Sequence, residues 1–124
     1  MAADPADLAA PQDVNDLDPI FLHRIRLGIC VLLSEAEYMT FPRLRELLEV
    51  TDGNLGAQLT NLRESGLVGS RSITITRRQG TWFSLTPEGR KRLEKHLDSL
   101  QRIIGRARGV SGRGEETQGE NYID

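Results

Sequence analysis

The spacing of apolar residues changes once along this chain, at Gly66, and that change constrains the fold more than any other feature. Before it, leucines recur in threes and fours: Leu44, Leu47 and Leu48, then Leu55, Leu59 and Leu62. After it, Ile73/Ile75 and Phe83/Leu85 alternate. The first period places side chains on one helix face, and the second on one face of a strand. Thr40 is placed to cap the first of these helices, with Pro42 in its first turn. Thr51 caps the second, and Ser65-Gly66 ends it, because glycine takes the left-handed conformation at a helix end without strain. About three residues separate the two helices. That spacing predicts two short helices crossing steeply around a small turn.

The flanking segments extend the pattern. Asp18 and Pro19 open a further helical period through Ile20, Phe21, Ile25, Ile29, Leu32 and Leu33, predicting a first helix from Pro19 to about Ser34. Tyr38, Met39 and Thr40 form a short extended link. Val68–Ile75 and Thr81–Leu85 read as strands joined by a hairpin loop, Thr76-Arg77-Arg78-Gln79-Gly80. Thr86-Pro87-Glu88 then opens a last helix carrying Leu93, Leu97, Leu100, Ile103 and Ile104 in a single seam. The predicted order is α-β-α-α-β-β-α. This is a mainly α fold with a small β-hairpin, a winged helix-turn-helix.

Charge divides the 124 residues into three segments. The net charge is only −2, yet residues 1–18 hold five Asp and no base, for −5. Residues 19–108 hold 15 Lys/Arg against 9 Asp/Glu, for +6, and residues 109–124 carry −3. The acidic end segments lack an apolar period and cannot bury enough surface to offset the entropy of ordering. Residues 1–18 and 105–124 are therefore expected to be disordered tails around a basic domain at 19–104, whose charge suits an anionic partner. No run of apolar residues is long enough for a membrane span, and no secretory leader is visible, so a cytoplasmic protein is expected. A single Cys and two His cannot assemble a four-ligand zinc site. No nucleophile motif, phosphate loop or paired catalytic carboxylate is present, so neither an enzyme nor a cofactor is expected.

The stretch Thr51-Asp-Gly-Asn-Leu-Gly-Ala-Gln-Leu-Thr-Asn-Leu-Arg-Glu-Ser-Gly-Leu-Val68 resembles the recognition-helix signature of winged-helix bacterial transcriptional regulators of the MarR/ArsR type. It is similar to the "LTDGNLSxHLxxLExAGYV" segment of a small one-domain subgroup. Thr81-Trp-Phe-Ser-Leu-Thr-Pro-Glu-Gly-Arg90 resembles the "TTYxLTPEGR" that closes the wing and opens the last helix. Leu17-Asp-Pro-Ile20 and Arg26-Leu-Gly-Ile29 extend the resemblance over about residues 17–100. It departs at Gly56, often Ser in the subgroup, and at Gln58, often His, so an operator is not inherited from relatives. The resemblance implies a homodimeric regulator, a repressor occupying a promoter, that binds a roughly palindromic operator in double-stranded DNA.

For such a fold, the N-terminal half of the recognition helix reaches base edges. Asn54 and Gln58 lie one turn apart and each can pair bidentately with adenine. Thr51 and the free N–H groups of the first turn suit a phosphate oxygen. Thr60, Asn61 and Arg63 follow towards the backbone, Ala57 lies on the same outer side, and Gly56 either lets the backbone approach closely or weakens sequence reading. Asp52 is assigned to the helix dipole. In the hairpin, Arg71, Arg77, Arg78 and Gln79 suit phosphates or a narrow minor groove. The alternative for all of them is a solvated polar surface. Trp82 is assigned to packing within the wing, and Cys30 to a buried structural thiol.

Ile20, Phe21, Leu93, Leu97, Leu100, Ile103 and Ile104 are the candidate dimer contact, against the alternative of a seam buried within one chain. Too few ligands surround His23 and His96 for a metal sensor. A space between the first and last helices leaves room for a small-molecule effector that nothing in the sequence identifies. The competing functional class is a winged-helix protein–protein interaction module without DNA binding.

Overall fold

Local capping sets where most elements begin. In this computed structural model, Asp18 accepts a hydrogen bond from Ile20 N at 3.2 Å and Pro19 leads a 3-10 helix, Pro19–Leu22. Thr40 accepts from Arg43 N to open one helix, and Thr51 from Asn54 N at 3.2 Å to open the next. Thr86 accepts from Gly89 N at 2.9 Å to open the last. The structure describes residues 12–75 and 77–109. The elements in chain order are α1 (Gln12–Asn15), the 3-10 helix, α2 (Arg24–Glu35), β1 (Met39–Thr40), α3 (Phe41–Leu48), α4 (Asp52–Glu64), β2 (Val68–Ile75), β3 (Arg78–Leu85) and α5 (Pro87–Ala107).

Contacts divide the chain into two units. Residues 18–95 form the first. Its core joins Ile25, Ile29, Cys30 and Leu33 of α2 to Leu44 of α3 and to Leu55, Leu59 and Leu62 of α4, with Phe21, Leu67, Val68, Phe83 and Leu93. The sheet is antiparallel in the order β1-β3-β2, with Met39 opposite Phe83 and Val68 opposite Leu85. The short β1 thereby ties the entry to α3 onto the hairpin. In the second unit, which holds residues 12–17 and 96–109 among those described, Asp13 Oδ1 accepts from Arg102 Nε at 2.7 Å. His96 and Ser99 are buried.

The junction of α4, β2 and α5 is unusually close. Gly66 adopts φ 78°, turning the chain out of α4. Thr86 Oγ1 donates to Gly66 O at 2.7 Å, and Thr86 N donates to Leu67 O at 3.0 Å. A Cβ on Gly89 would lie 2.1 Å from Leu67 O, so a side chain there has no room.

Several expectations need correction. The first helix is not continuous from Pro19. His23 is extended (φ −104°, ψ 125°), and its Nδ1 accepts from Ile25 N at 3.1 Å to start α2 afresh. The apolar period continues across this break, which hides it from a periodicity argument. Leu47, placed in the buried stripe of α3, is 42% exposed; Leu44 alone of its three leucines is fully buried. The hairpin loop is shorter than expected: Ile75 pairs with Arg78, and β3 starts three residues earlier than Thr81. The alternation expected at Ile73 and Ile75 concerns side chains outside the described residues. The acidic N-terminal segment contains the helical turn α1, and residues 1–11 lie outside the described residues. The C-terminal boundary also shifts: α5 runs through a buried Gly105 to Ala107, and residues 110–124 lie outside the described residues.

Candidate nucleic-acid interface

α4 buries Leu55, Leu59 and Leu62 and leaves most of the rest of its circumference to solvent. Three leucines at four- and three-residue steps cover one side only. Thr51, Asp52, Gly53, Asn54, Ala57, Thr60, Asn61 and Arg63 are exposed, and Gly56 and Gln58 are half-buried. Thr51 keeps its hydroxyl oxygen on Asn54 N, so it acts as a cap. Among the described residues, nothing lies within 4 Å of a Cβ built on Gly53 or Gly56. Packing among them therefore does not require glycine at either position, although each costs about 1 kcal/mol of helix stability relative to Ala.

The turn before α4 is built from strain and charge. Glu49 takes the left-handed conformation (φ 54°, ψ 54°) and donates its N–H to Arg45 O at 2.9 Å, ending α3. Arg45 Nη1 then donates to Asp52 Oδ1 at 2.8 Å. Both partners are largely exposed, so the pair adds little stability. It does place a guanidinium against the carboxylate of α4's first turn, offsetting the charge that would repel a phosphate. Asp52, expected to serve the helix dipole, thus also holds an ion-pair partner. Its partner is seven residues away on another helix, and no spacing rule reveals the contact.

Gln58 is also partnered. Arg26 of α2 donates Nε–H to Ile20 O at 2.7 Å and Nη1–H to Gln58 Oε1 at 2.9 Å. Gln58 Nε2 lies 3.5 Å from Asn54 Oδ1, the outer limit of a hydrogen bond. Of the two residues expected to read adenine with free amides, Gln58 thus has its oxygen engaged before any ligand arrives. No spacing along the chain links Arg26 to Gln58, and only the crossing of α2 and α4 brings it here.

In the wing, Arg71 and Arg77 are exposed. Arg77 is at the hairpin turn with φ 64°, a region that L side chains adopt at a cost and that turns usually give to Gly, Asn or Asp. The side chains of Arg78 and Gln79 lie outside the described residues. Trp82 packs edge-on against Tyr38, ring centroids 4.5 Å apart at 86°, a contact with the link before β1 and not within the hairpin.

The residues expected at a dimer contact separate into two groups. Phe21 and Leu93 are 1% and 2% exposed and belong to the core of the single chain. Leu97 and Ile104 are 40% and 49% exposed, and Ile20, Leu100 and Ile103 are half-buried. Cys30 is buried, and burial pushes its thiol up to about 12. Among the described residues, no group of three or more His, Cys, Asp or Glu is placed to hold a metal ion. No helix among them is long and apolar enough to cross a membrane.

A capped helix with one buried side and an open polar side, followed by an arginine-bearing hairpin, defines a winged-helix domain of the kind found in transcriptional regulators. The chain belongs to the winged helix DNA-binding domain family, whose model matches residues 25–104. It is 36% identical over 84 residues to an uncharacterized protein of Methanocaldococcus jannaschii, covering 68% of this chain and 91% of that one. Its fold is similar to that of a transcriptional regulator homologue from Pyrococcus horikoshii, with TM-score 0.72 and 26% identity over 77% of this chain and 97% of that chain. It is also similar in fold to a zinc-responsive MarR family member, Lactococcus lactis ZitR, with TM-score 0.53, 23% identity and coverage of 69% of this chain and 58% of that one. The protein is a DNA-binding regulator of the winged-helix class.

Proposed function

We propose that this protein is a sequence-specific, homodimeric transcriptional repressor. In this reading α4 enters the major groove and the wing, residues 71–80, lies against the sugar–phosphate backbone or the minor groove. The observation that carries the reading is the open side of α4. Asn54, Ala57, Thr60, Asn61 and Arg63 are uncovered beside two glycines whose added Cβ would meet nothing among the described residues. A helix without bulk along that side lets its backbone approach a base-pair edge closely. Its N-terminal residues are those that reach base edges in this class of domain. Arg77 supports the wing contact: its exposed side chain stands beside the hairpin turn at a positive φ, a backbone cost that a functional guanidinium would offset. The half-exposed apolar seam of α5, Leu97, Leu100, Ile103 and Ile104, offers a second copy an apolar face. A two-fold dimer would set half-sites roughly 34–36 Å apart or a multiple of that. Occupancy of a promoter by such a dimer represses it, and no effector is assigned.

The test is selection of bound fragments from a random DNA pool, with the mass of the protein measured in parallel by sedimentation. A palindromic consensus and a dimer are expected. R71A and R77A should weaken binding to all sequences and reduce the salt slope by about 1 each. N54A should relax preference at one position by about 1–3 kcal/mol. A protein that enriches no sequence and shows no salt-dependent shift refutes the assignment.

A further inference from the structure

Arg26 contacts the proposed reading helix from behind. Its Nε–H is fixed on Ile20 O at 2.7 Å, which aims the guanidinium, and Nη1–H meets Gln58 Oε1 at 2.9 Å. A guanidinium has five donors and no acceptor. Only the oxygen end of the Gln58 amide can face it, since a flipped amide would set N–H against N–H. One oxygen lone pair is thus occupied, and the amide hydrogens are directed away from Arg26. Nε2 lies at the outer limit of contact with Asn54 Oδ1, one turn earlier on the same helix. The amide is therefore ordered before DNA arrives, and a side chain already ordered loses less entropy on binding.

We propose that Arg26 is a positioning residue that determines which base edge α4 accepts, by holding Gln58 so that it offers a hydrogen-bond donor. This rests on the DNA-reading role of α4 proposed above. In the major groove, guanine, adenine and thymine each present an acceptor, whereas cytosine presents only its amino donor. Gln58 held by Arg26 rejects cytosine at the position it meets. A Gln58 free to rotate can turn its oxygen outward and tolerate cytosine.

The full-length protein is used, with the sequence selected by the wild type as probe. Affinity is measured by fluorescence anisotropy on the four base variants of the position that Q58A identifies, across a salt series. Wild type should reject cytosine by about tenfold, the size of one good base contact. R26M and Q58A should each lose that discrimination, and the double variant should lose no more than either alone. The salt slope of R26M should stay at the wild-type value. Q58E keeps the acceptor that Arg26 holds but has no donor, so its preference should invert towards cytosine. This second variant leaves the Arg26 contact to Ile20 intact and tests the geometry even if R26M fails to fold. Additive losses in R26M and Q58A overturn the proposal. So does a uniform loss in R26M with a salt slope reduced by about 1, the mark of a phosphate contact. Failure of Q58E to shift towards cytosine overturns it too. A wild type that binds all sequences equally removes the DNA-reading role and this proposal with it. A wild type that selects a sequence, with R26M discriminating normally, overturns this proposal alone.

Discussion

Replacing Gly89 by alanine tests whether the close approach of α5 to the end of α4 holds the first unit together. The new Cβ would stand 2.1 Å from Leu67 O, a backbone atom that already accepts from Thr86 N at 3.0 Å. An ordinary carbon–oxygen contact is about 3.3 Å or more, so the backbones must separate by roughly 1.2 Å. Forcing a methyl into a packed site costs about 1–3 kcal/mol. The separation also weakens the Thr86 N–H bond to Leu67 O and the Gly89 N–H bond to Thr86 Oγ1, together worth about 1–2 kcal/mol. Helix propensity returns up to about 1 kcal/mol here too, so the expected loss is roughly 2–3 kcal/mol, or a fall in melting temperature of about 10–20 °C for a unit of this size. G28A is the matched control. There the added Cβ would meet Leu48 Cδ2 at 2.6 Å, the far end of a half-buried side chain that can rotate aside. Helix propensity returns about 1 kcal/mol, so G28A should fall within about 1 kcal/mol of wild type. Thermal unfolding followed by circular dichroism reads both. Equal melting temperatures for G89A and G28A would refute the reasoning.

Three further outcomes are expected. G56A should stabilise the protein by about 1 kcal/mol in urea unfolding, because its Cβ meets nothing and alanine favours the helix; on selected DNA the same variant should bind more weakly, and a loss of stability would contradict the open environment described. Asp18 caps the 3-10 helix and accepts two 2.8 Å hydrogen bonds from Arg92, with only 16% of its side chain exposed, so D18A should cost about 2 kcal/mol by the same assay; a change below about 0.5 kcal/mol would count against it. Burial raises the Cys30 thiol from 9.0 to about 12, so between those values the folded state holds a proton that the unfolded chain releases. Stability from this group is intact below pH 9 and declines as pH rises towards 12, by about 1 kcal/mol per pH unit. C30A should lack that alkaline slope when unfolding is measured across the range, and an unchanged slope would exclude Cys30 as its source.

Much of this protein was legible along the chain because the deciding interactions are local. Thr40, Thr51 and Thr86 cap helices through residues three positions on, and Leu55, Leu59 and Leu62 mark the buried side of α4 by their spacing. The bounds of α4, its exposed polar residues and the order of elements from α2 to α5 followed from these. The break at His23 did not, because an imidazole is an uncommon cap and the apolar period runs across the break. Nor does the start of β3 at Arg78 show along the chain, because Arg77, not Gly or Asn, takes the positive φ before it.

Contacts between residues far apart in sequence decided the rest. Arg26 meets Gln58 across 32 positions and Arg92 meets Asp18 across 74, and neither pair leaves a period or a motif to read. Gly89 looks like an ordinary helix residue until the backbone of Leu67 is laid against it. Sequence order determines which residues can form a helix or a strand, since those hydrogen bonds close within a few residues or between adjacent strands. Which donor ends beside which acceptor depends on how the elements cross, and side-chain chemistry then fixes what each pair can offer a ligand.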